Sequence, residues 1–569
     1  MKYHFFLLSI FCFAFKPCYV QSESMQNKRS TQLIEVHERT NEKTIVQQKR
    51  VSFQNLKGLI ISGDREVPPY YVMNKTKGVE FYRSMQSIPL KARTAFQKYL
   101  YRLVIGRTLT FENLETLKKK ISAFCQMHGQ PFVVVNILEK NMADGILVIT
   151  VLDARAGKIS IEGNLWRNEQ FYRDRICLKE NTPIYYQSLE EDLSWLNCFP
   201  WCSTSAIIHA SDDYGMTDID IIVEDRRPFE FYVGADNTGF RLIDYNRVFT
   251  GLSCGDILDS NWNFDYQYRA SPDFTTYQSH LLECSFYLPW RDILSLNGEI
   301  ANMHEGKSYQ LNLRNIFPLS QMAYMQQELR VGWDWKRSNN DLIVGESSII
   351  DTFATVFQVA CEYNISLKGK SQFFDMHASI VTQPWNWGKS MSHSTYDLLR
   401  SNADNNYIYV AFRGEYLWQE PKYQVGLRLK TTAQVSSGAL IPLEMFGLGG
   451  FDNVRGYENR AVNVDNGIIF NIELSSPQIP LLEKIKSTKK IDESLRLIAF
   501  FDIGKGSLNK IVSYEPQNYL LAGVGPGIRY HVDQYIQASL DWGFRLTPPP
   551  NTPEINARSL LYFSVLAIY

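Results

Sequence analysis

The sequence predicts a sixteen-stranded antiparallel β-barrel of the transmembrane kind, preceded by two small α+β modules. Three observations carry this. From residue 228 onward, segment after segment alternates apolar and polar side chains with a period of two. No run of about 18 apolar residues follows the N-terminus, so helical spans are not expected. Aromatic residues reach 13%, with 32 Tyr, 33 Phe and 11 Trp, yet mean hydropathy is −0.24. Many aromatics without long apolar runs fit strands that show one face to lipid and the other to water.

Residues 1–22 read as a secretory signal: Lys2 gives the positive start, Phe5 to Phe15 the apolar run, and Val20-Gln21-Ser22 the cleavage site. Residues 23–55 are polar and charged, and their "LIEVHERTNEKTIVQQKR" stretch lacks an apolar helical face, so alone they read as a linker.

The first module spans 56–153. "LKGLIIS" reads as a strand, followed by a helix around Thr94 to Ile105 and a second from Phe111 to His128. Leu114, Leu117, Ile121, Phe124 and Cys125 fall on one face of that second helix, and Gly129 stops it. Strands at 132–138 and 146–152 complete a β-α-α-β-β order. The order repeats over 154–227. "KISIEG" turns Ile159 and Ile161 inward, helices fit 168–177 and 187–196, and "TDIDIIVE" closes with Ile219, Ile221 and Val223 on one side. Neither module holds a catalytic cluster. Small sheets of this kind accept an extended peptide on an exposed edge.

The barrel spans 228–569, with strands expected to start near 229, 246, 261, 275, 291, 308, 322, 349, 371, 406, 423, 466, 494, 518, 534 and 558. An even number at this spacing matches outer-membrane barrels. In "YIQASLDWGFRL", Ile536, Ala538, Leu540, Trp542, Phe544 and Leu546 face one way, with Asp541 and Arg545 on the other face. Tyr423, Val425, Leu427 and Leu429 alternate in the same way with Arg428 and Lys430. The last residue, Tyr569, suits an interfacial aromatic girdle.

The loop "GLGGFDNVRGYENR", within 444–462, carries one arginine, Arg455, that needs a counter-charge if it leaves water. In "LRLIAFFDIGKG", Leu495, Leu497, Ala499, Phe501 and Ile503 face lipid. Arg496, Ile498, Phe500, Asp502 and Gly504 face the lumen. Strand parity therefore makes Asp502 the partner of Arg455 and folds the loop back into the pore. Arg428, Lys430, Arg496, Asp541 and Arg545 are the expected lumen lining.

At these residues the sequence resembles the two-partner secretion transporters. These are hemolysin-activator-type outer-membrane proteins, in the superfamily that also holds barrel-assembly insertases. "VRGY" (Val454, Arg455, Gly456, Tyr457) is similar to that superfamily's inward-folded loop motif. "FFDIG" (Phe500, Asp502, Gly504) is similar to its companion strand motif. "WLNCFP" (Trp195 to Pro200) and "VGADNTG" (Val233 to Gly239) add to the likeness.

The resemblance implies an outer-membrane transporter that secretes a large, unfolded partner exoprotein without nucleotide hydrolysis. Two periplasmic polypeptide-transport-associated (POTRA) domains receive the cargo. It makes residues 23–55 a candidate for a lumen-plugging helix. It also implies contact with outer-membrane lipid, and insertion of this chain itself by the barrel-assembly machinery. The alternative is an assembly or insertion factor of the same superfamily, against which two modules rather than five or so are the argument.

Other classes fit poorly. The balance of 59 basic against 60 acidic residues argues against a nucleic-acid binder. Gly369-Lys370-Ser371 and Gly388-Lys389-Ser390 lack the preceding glycine of a phosphate loop, with Asn364 and Gln383 in its place. No GxSxG or HExxH motif occurs, so neither an enzyme nor a cofactor is expected. Seven cysteines follow the signal: 125, 177, 198, 202, 254, 284 and 361. Cys198 and Cys202 form no CxxC pair and have no histidine cluster, so no metal site is expected. They read either as a disulfide or as two buried thiols, and the resemblance accounts for neither.

Overall fold

The computed structural model describes residues 34–37, 56–63, 76–86, 88–128, 133–138, 145–153, 155–211, 216–239, 244–255, 261–303, 306–319, 324–339, 342–344, 347–350, 353–385, 387–480, 493–511, 516–548 and 558–569. The signal segment, and residues 23–55 apart from 34–37, lie outside them. Two compact units result, Gln32–Arg226 and Arg227–Tyr569.

In the N-terminal unit the strands are β1 (Ile34–His37), β2 (Gly58–Ser62), β3 (Gly78–Tyr82), β4 (Val133–Leu138), β5 (Ile146–Asp153), β6 (Arg155–Glu162), β7 (Cys202–Ala210) and β8 (Met216–Asp225). The helices are α1 (Leu90–Val104), α2 (Phe111–Met127), α3 (Glu169–Arg173) and α4 (Tyr186–Leu196). The first module is a sheet ordered β3-β2-β5-β4 with α1 and α2 packed on it. Thr110 caps α2 by accepting from the Asn113 amide at 3.3 Å. The face of α2 expected from its spacing is buried, with Leu117 and Ile121 against Phe96 and Leu100 of α1 and Leu59 and Leu147 of the sheet. Strand β3 was not expected; five residues starting at the positive-φ Gly78 give too short a pattern to read.

The second module is a sheet ordered β1-β7-β8-β6. Ile159, Ile219, Ile221 and Val223 are buried and Ile161 is half-buried. The helix expected over 168–177 ends at Arg173, because the Cys177 amide donates to the buried Asp192 of α4 at 2.7 Å and draws the chain away. At the end of β8, Asp225 accepts from the amides of Leu165, Trp166 and Arg167 at 2.8, 2.9 and 3.1 Å. Arg167 lies over Phe171 and Phe199, so the "WLNCFP" segment is held by aromatic and cation–π packing. Cys198 and Cys202 are not joined. Cys202 is a buried thiol facing the Leu196 carbonyl, and Cys198 is half-exposed beside the Ser194 carbonyl.

The C-terminal unit closes on itself. Its strands are β9 (Phe229–Asp236), β10 (Arg247–Gly255), β11 (Trp262–Ala270), β12 (Tyr277–Tyr287), β13 (Ile293–Met303), β14 (Gly306–Pro318), β15 (Met325–Asn339), β16 (Leu342–Val344), β17 (Ser347–Ile350), β18 (Phe353–Lys368), β19 (Gln372–Gln383), β20 (Tyr407–Gln419), β21 (Gly426–Ser436), β22 (Phe446–Leu448), β23 (Val462–Val464), β24 (Asn466–Ser475), β25 (Glu493–Ser507), β26 (Asn518–Val532), β27 (Ile536–Arg545) and β28 (Ser559–Ile568). The β16–β17 and β22–β23 pairs are small separate hairpins. The other sixteen strands form one antiparallel barrel in which β28 returns to β9. The largest offset from the expected starts is at β18, which begins at Phe353 rather than near 349. Tyr423 and Val425 precede β21, in a turn where the Glu420 amide donates to the Val425 carbonyl.

The barrel is inverted relative to a water-soluble core. Outward-facing Leu282, Ile380, Ile472, Leu497, Leu540 and Val565 are more than one-third exposed, while Gln267, Asp334, Lys336, Gln358 and Gln434 are buried inside. A continuous apolar outer wall of this kind is stable only against lipid. No helix of the described residues is long and apolar enough to cross a membrane.

A core substitution separates the two units experimentally. Leu117→Ala should cost the first module about 2–5 kcal/mol through lost contacts and a cavity. Scanning calorimetry of the whole chain in detergent should show the transition of the N-terminal unit lowered and that of the barrel unmoved.

Candidate functional site

The connection from β21 to β24, residues 437–465, leaves the barrel end remote from Phe229 and turns back inside. Its stem is the β22–β23 hairpin. Leu440, Ile441, Leu448, Val454, Tyr457 and Val464 are buried together with Tyr396 and Leu399, the latter from α5 (His393–Leu399), and with Val356, Ile469 and Leu521 of the wall. The loop thus shares one apolar core with α5 and with the wall at β18, β20, β24 and β26.

At the tip, Arg455 leaves water almost completely, with 4% of its surface exposed. Its Nε and Nη2 donate to the two oxygens of Asp502 at 2.7 and 2.9 Å, and its own amide donates to Asp502 at 3.0 Å. The same carboxylate accepts from Asn471. Arg455 Nη1 reaches Glu473 on β24 at 3.1 Å and Asp541 on β27 at 3.3 Å, and the guanidinium stacks on Phe500, 3.5 Å from the ring centroid. Arg529 on β26 completes the cluster, donating to Asp541 at 2.5 and 2.9 Å. Three carboxylates from three strands thus meet two guanidiniums, and each charge is paired where burial would otherwise penalise it heavily.

Backbone contacts fix the loop around this cluster. Tyr562 on β28 accepts from the Gly456 amide at 3.0 Å and donates to the Tyr457 carbonyl at 2.6 Å. Arg545 donates to the Gly456 carbonyl, and Thr547 holds the Tyr457 hydroxyl. Gly456 has φ +100°, which only glycine adopts readily. On the wall, a Cβ at Gly523 would lie 1.9 Å from the Arg455 carbonyl oxygen, one at Gly543 2.4 Å from the Gly456 nitrogen, and one at Gly504 2.9 Å from Val454. At Gly523 and Gly543 the wall thus offers no side chain and the loop backbone lies directly on β26 and β27, while Gly504 of β25 makes room for the Val454 side chain.

The residues singled out in the sequence come together unevenly. Val454, Arg455, Gly456, Tyr457, Phe500, Asp502, Gly504, Asp541 and Arg545 all meet at the seat. Arg428 is half-buried against Glu415 at 2.7 Å, and Lys430 donates to the Asp452 carbonyl of the loop at 3.1 Å. Arg496 takes no part in the Arg455 contacts and lies across the ladder from Arg529. Sequence reasoning missed Glu473, Arg529, Tyr562 and the bare wall at Gly523 and Gly543. A second set was missed as well: Arg400 binds the fully buried Asp465 through two bonds of 2.6 and 2.8 Å, and Lys336 pairs with the buried Glu444 at 2.8 Å. These tie the α5 connection and the upper wall to the root of the same loop.

Residues 215–530 match the family described as Haemolysin secretion/activation protein ShlB/FhaC/HecB. The chain belongs to this family. It is therefore a two-partner secretion transporter of the bacterial outer membrane, with its N-terminal modules in the periplasm. Among solved structures it is similar to CdiB from Escherichia coli, at 16% identity and a TM-score of 0.69, with 96% of each chain covered. It is also similar to CdiB from Acinetobacter baumannii, at 13% identity and 0.62, with 97% of each covered. At these identities the likeness speaks for the fold. No curated protein matches the sequence.

Two substitutions test the seat. Gly523→Val places side-chain atoms where the Arg455 carbonyl lies and should unseat the tip, seen as new trypsin cleavage at Arg455 or Arg460 on intact cells. Asp502→Asn leaves Arg455 half-compensated and should lower barrel stability by about 3–5 kcal/mol, read from the unfolding midpoint in urea.

Proposed function

We propose that the family's task is carried out here by a barrel held shut at rest by the Arg455 loop, and opened when an unfolded exoprotein, received by the two periplasmic modules, draws the loop off its seat. The observation that carries this reading is the burial of Arg455 among Asp502, Glu473 and Asp541 inside the lumen, on a loop that shares an apolar core with the wall. A chain cannot pass while that core is intact, and several strands share the cost of breaking it. Cargo reception is assigned to the sheet edges because strand addition tolerates varied sequence and suits an extended chain. A disordered cargo loses conformational entropy on binding, so each contact is weak and reversible. The outer wall meets outer-membrane lipid, and insertion of this barrel falls to the cell's barrel-assembly machinery. No step of this scheme uses an enzyme activity or a cofactor of this chain.

Arg455→Ala should leave a membrane-inserted, heat-modifiable barrel but cut secretion of the exoprotein partner at least tenfold, because the loop loses the anchor that sets its resting and released positions. Secretion at the wild-type level, measured by immunoblot of the medium, would sink the reading. Strand β1 ties residues 34–37 to the second module, so the candidate plug narrows to the chain ahead of it: deleting residues 23–33 should raise single-channel conductance in planar bilayers if that stretch occupies the lumen. Unchanged conductance would make it a tether.

A further inference from the structure

The helical face of the first module carries a charge that the second module's does not. From Leu90 to His128, across α1, α2 and the turn between them, eight lysines and arginines stand against two glutamates. The corresponding stretch of the second module, Glu169 to Leu196, has three against six acidic residues. Both modules set two helices beside a four-stranded sheet, so the basic excess is no requirement of the fold. Its arrangement is also ordered. Phe96, Leu100 and Val104 turn one side of α1 into the core, which leaves Lys91, Lys98 and Arg102, spaced by seven and four, in a line along the opposite side. All three are exposed, and none meets a carboxylate among the described residues. The neighbouring line holds Leu90 and Tyr101, 70% and 53% exposed, with Thr94 between them. Arg107 adds an exposed cation in the turn after α1. On α2 the Lys120 ammonium lies 5.2 Å over the Tyr99 ring and donates to its hydroxyl, which carries the positive face across to the second helix.

A line of unpaired cations beside large exposed apolar side chains is the composition of a surface that lies on a charged bilayer. The cations meet headgroups, and the leucine and tyrosine reach the acyl boundary beneath them. We propose that the α1 face of the first module docks on anionic phospholipid in the periplasmic leaflet of the membrane that holds the barrel. The docking presupposes only the outer-membrane place of the barrel, and not the Arg455 gate. The bilayer is a partner held in cis, since the chain joins this module through the second one to a wall embedded in lipid, and a face of modest affinity is then enough. Each Lys or Arg close to an anionic surface strengthens partitioning about fivefold, so the three of α1 together supply on the order of a hundredfold. An acidic polypeptide would answer the charges equally well, but it gives no reason for Leu90 and Tyr101 to stand bare next to them. With the helices on lipid, the sheet stays available to cargo, with β4 as its last strand among the described residues.

The test uses the full-length protein in lipid nanodiscs, made either of phosphatidylcholine alone or of phosphatidylcholine mixed with phosphatidylglycerol. With the native cysteines replaced by serine, Leu90→Cys carries a bimane label, and a fraction of the lipid carries a nitroxide on its headgroup. Quenching of the label should be at least threefold stronger in the anionic discs and should fall to the phosphatidylcholine level in molar salt. The triple variant Lys91→Gln/Lys98→Gln/Arg102→Gln should lose the extra quenching while its N-terminal unit melts at the unchanged temperature. Equal quenching in the two lipids, or extra quenching that survives in the triple variant, would overturn the docking. Labelled polyglutamate, added to the phosphatidylcholine discs, examines the other partner. Tight binding that the triple variant loses, with no extra quenching in anionic discs, would overturn the lipid assignment and make the face a site for an acidic polypeptide. None of these readouts depends on where the Arg455 loop sits, so a failure here is separate from a failure of the gate.

Discussion

A guanidinium taken out of water governs this barrel. Arg455 sits on a loop, and a loop has every reason to stay solvated. Its charge is stable inside the lumen only because Asp502, Glu473 and Asp541 reach it from three different strands and Phe500 lies under it. That requirement dictates much else. The strands must present these carboxylates at the same height, which fixes the register of β24 to β27. The wall must let the loop approach, which explains glycine at 523 and 543 beneath its backbone and at 504 beside the Val454 side chain. The loop must bring enough apolar surface to fill the space above its tip, which Leu440, Ile441, Leu448 and Val454 do.

A buried ion cluster of this kind adds little net stability compared with an apolar core of equal volume, yet it is costly to break by halves. Those are useful properties for a gate. The seated loop is specified by a contact set that pairs all five charges, while the difference between seated and released states need not be large once water reaches the cluster. The outer contacts of the loop, Arg400 with Asp465 and Lys336 with Glu444, follow the same logic nearer the surface. The loop is held at tip and root by charge and between them by packing.

The alternation of "FFDIG" was enough to turn Asp502 toward the lumen, and the sixteen strand positions followed from the same period of two. Glu473 was invisible for the same reason that Asp502 was not. An inward glutamate between Asn471 and Ser475 looks like any pore-lining residue until the loop is seen to land beside it. The glycines of β26 carry no signal of their own, because what they make room for is far away in sequence. Strand β1 is the extreme case: four residues in a charged stretch show no pattern, and the partner that makes them a strand lies in another module. Local periodicity fixes which way a side chain points. It does not say what arrives from elsewhere.

The central claim is that the loop must leave its seat for export, and a reversible lock tests it most directly. With the seven native cysteines replaced by serine, Val454→Cys and Gly504→Cys place two thiols within disulfide reach, since a Cβ at residue 504 lies 2.9 Å from the Val454 side chain. Secretion would be followed in cells under oxidising conditions and after addition of reductant. The account predicts that export stops while the bridge is closed and resumes once it is reduced, with the barrel inserted throughout. Export at an undiminished rate through a barrel whose loop is demonstrably cross-linked would contradict it.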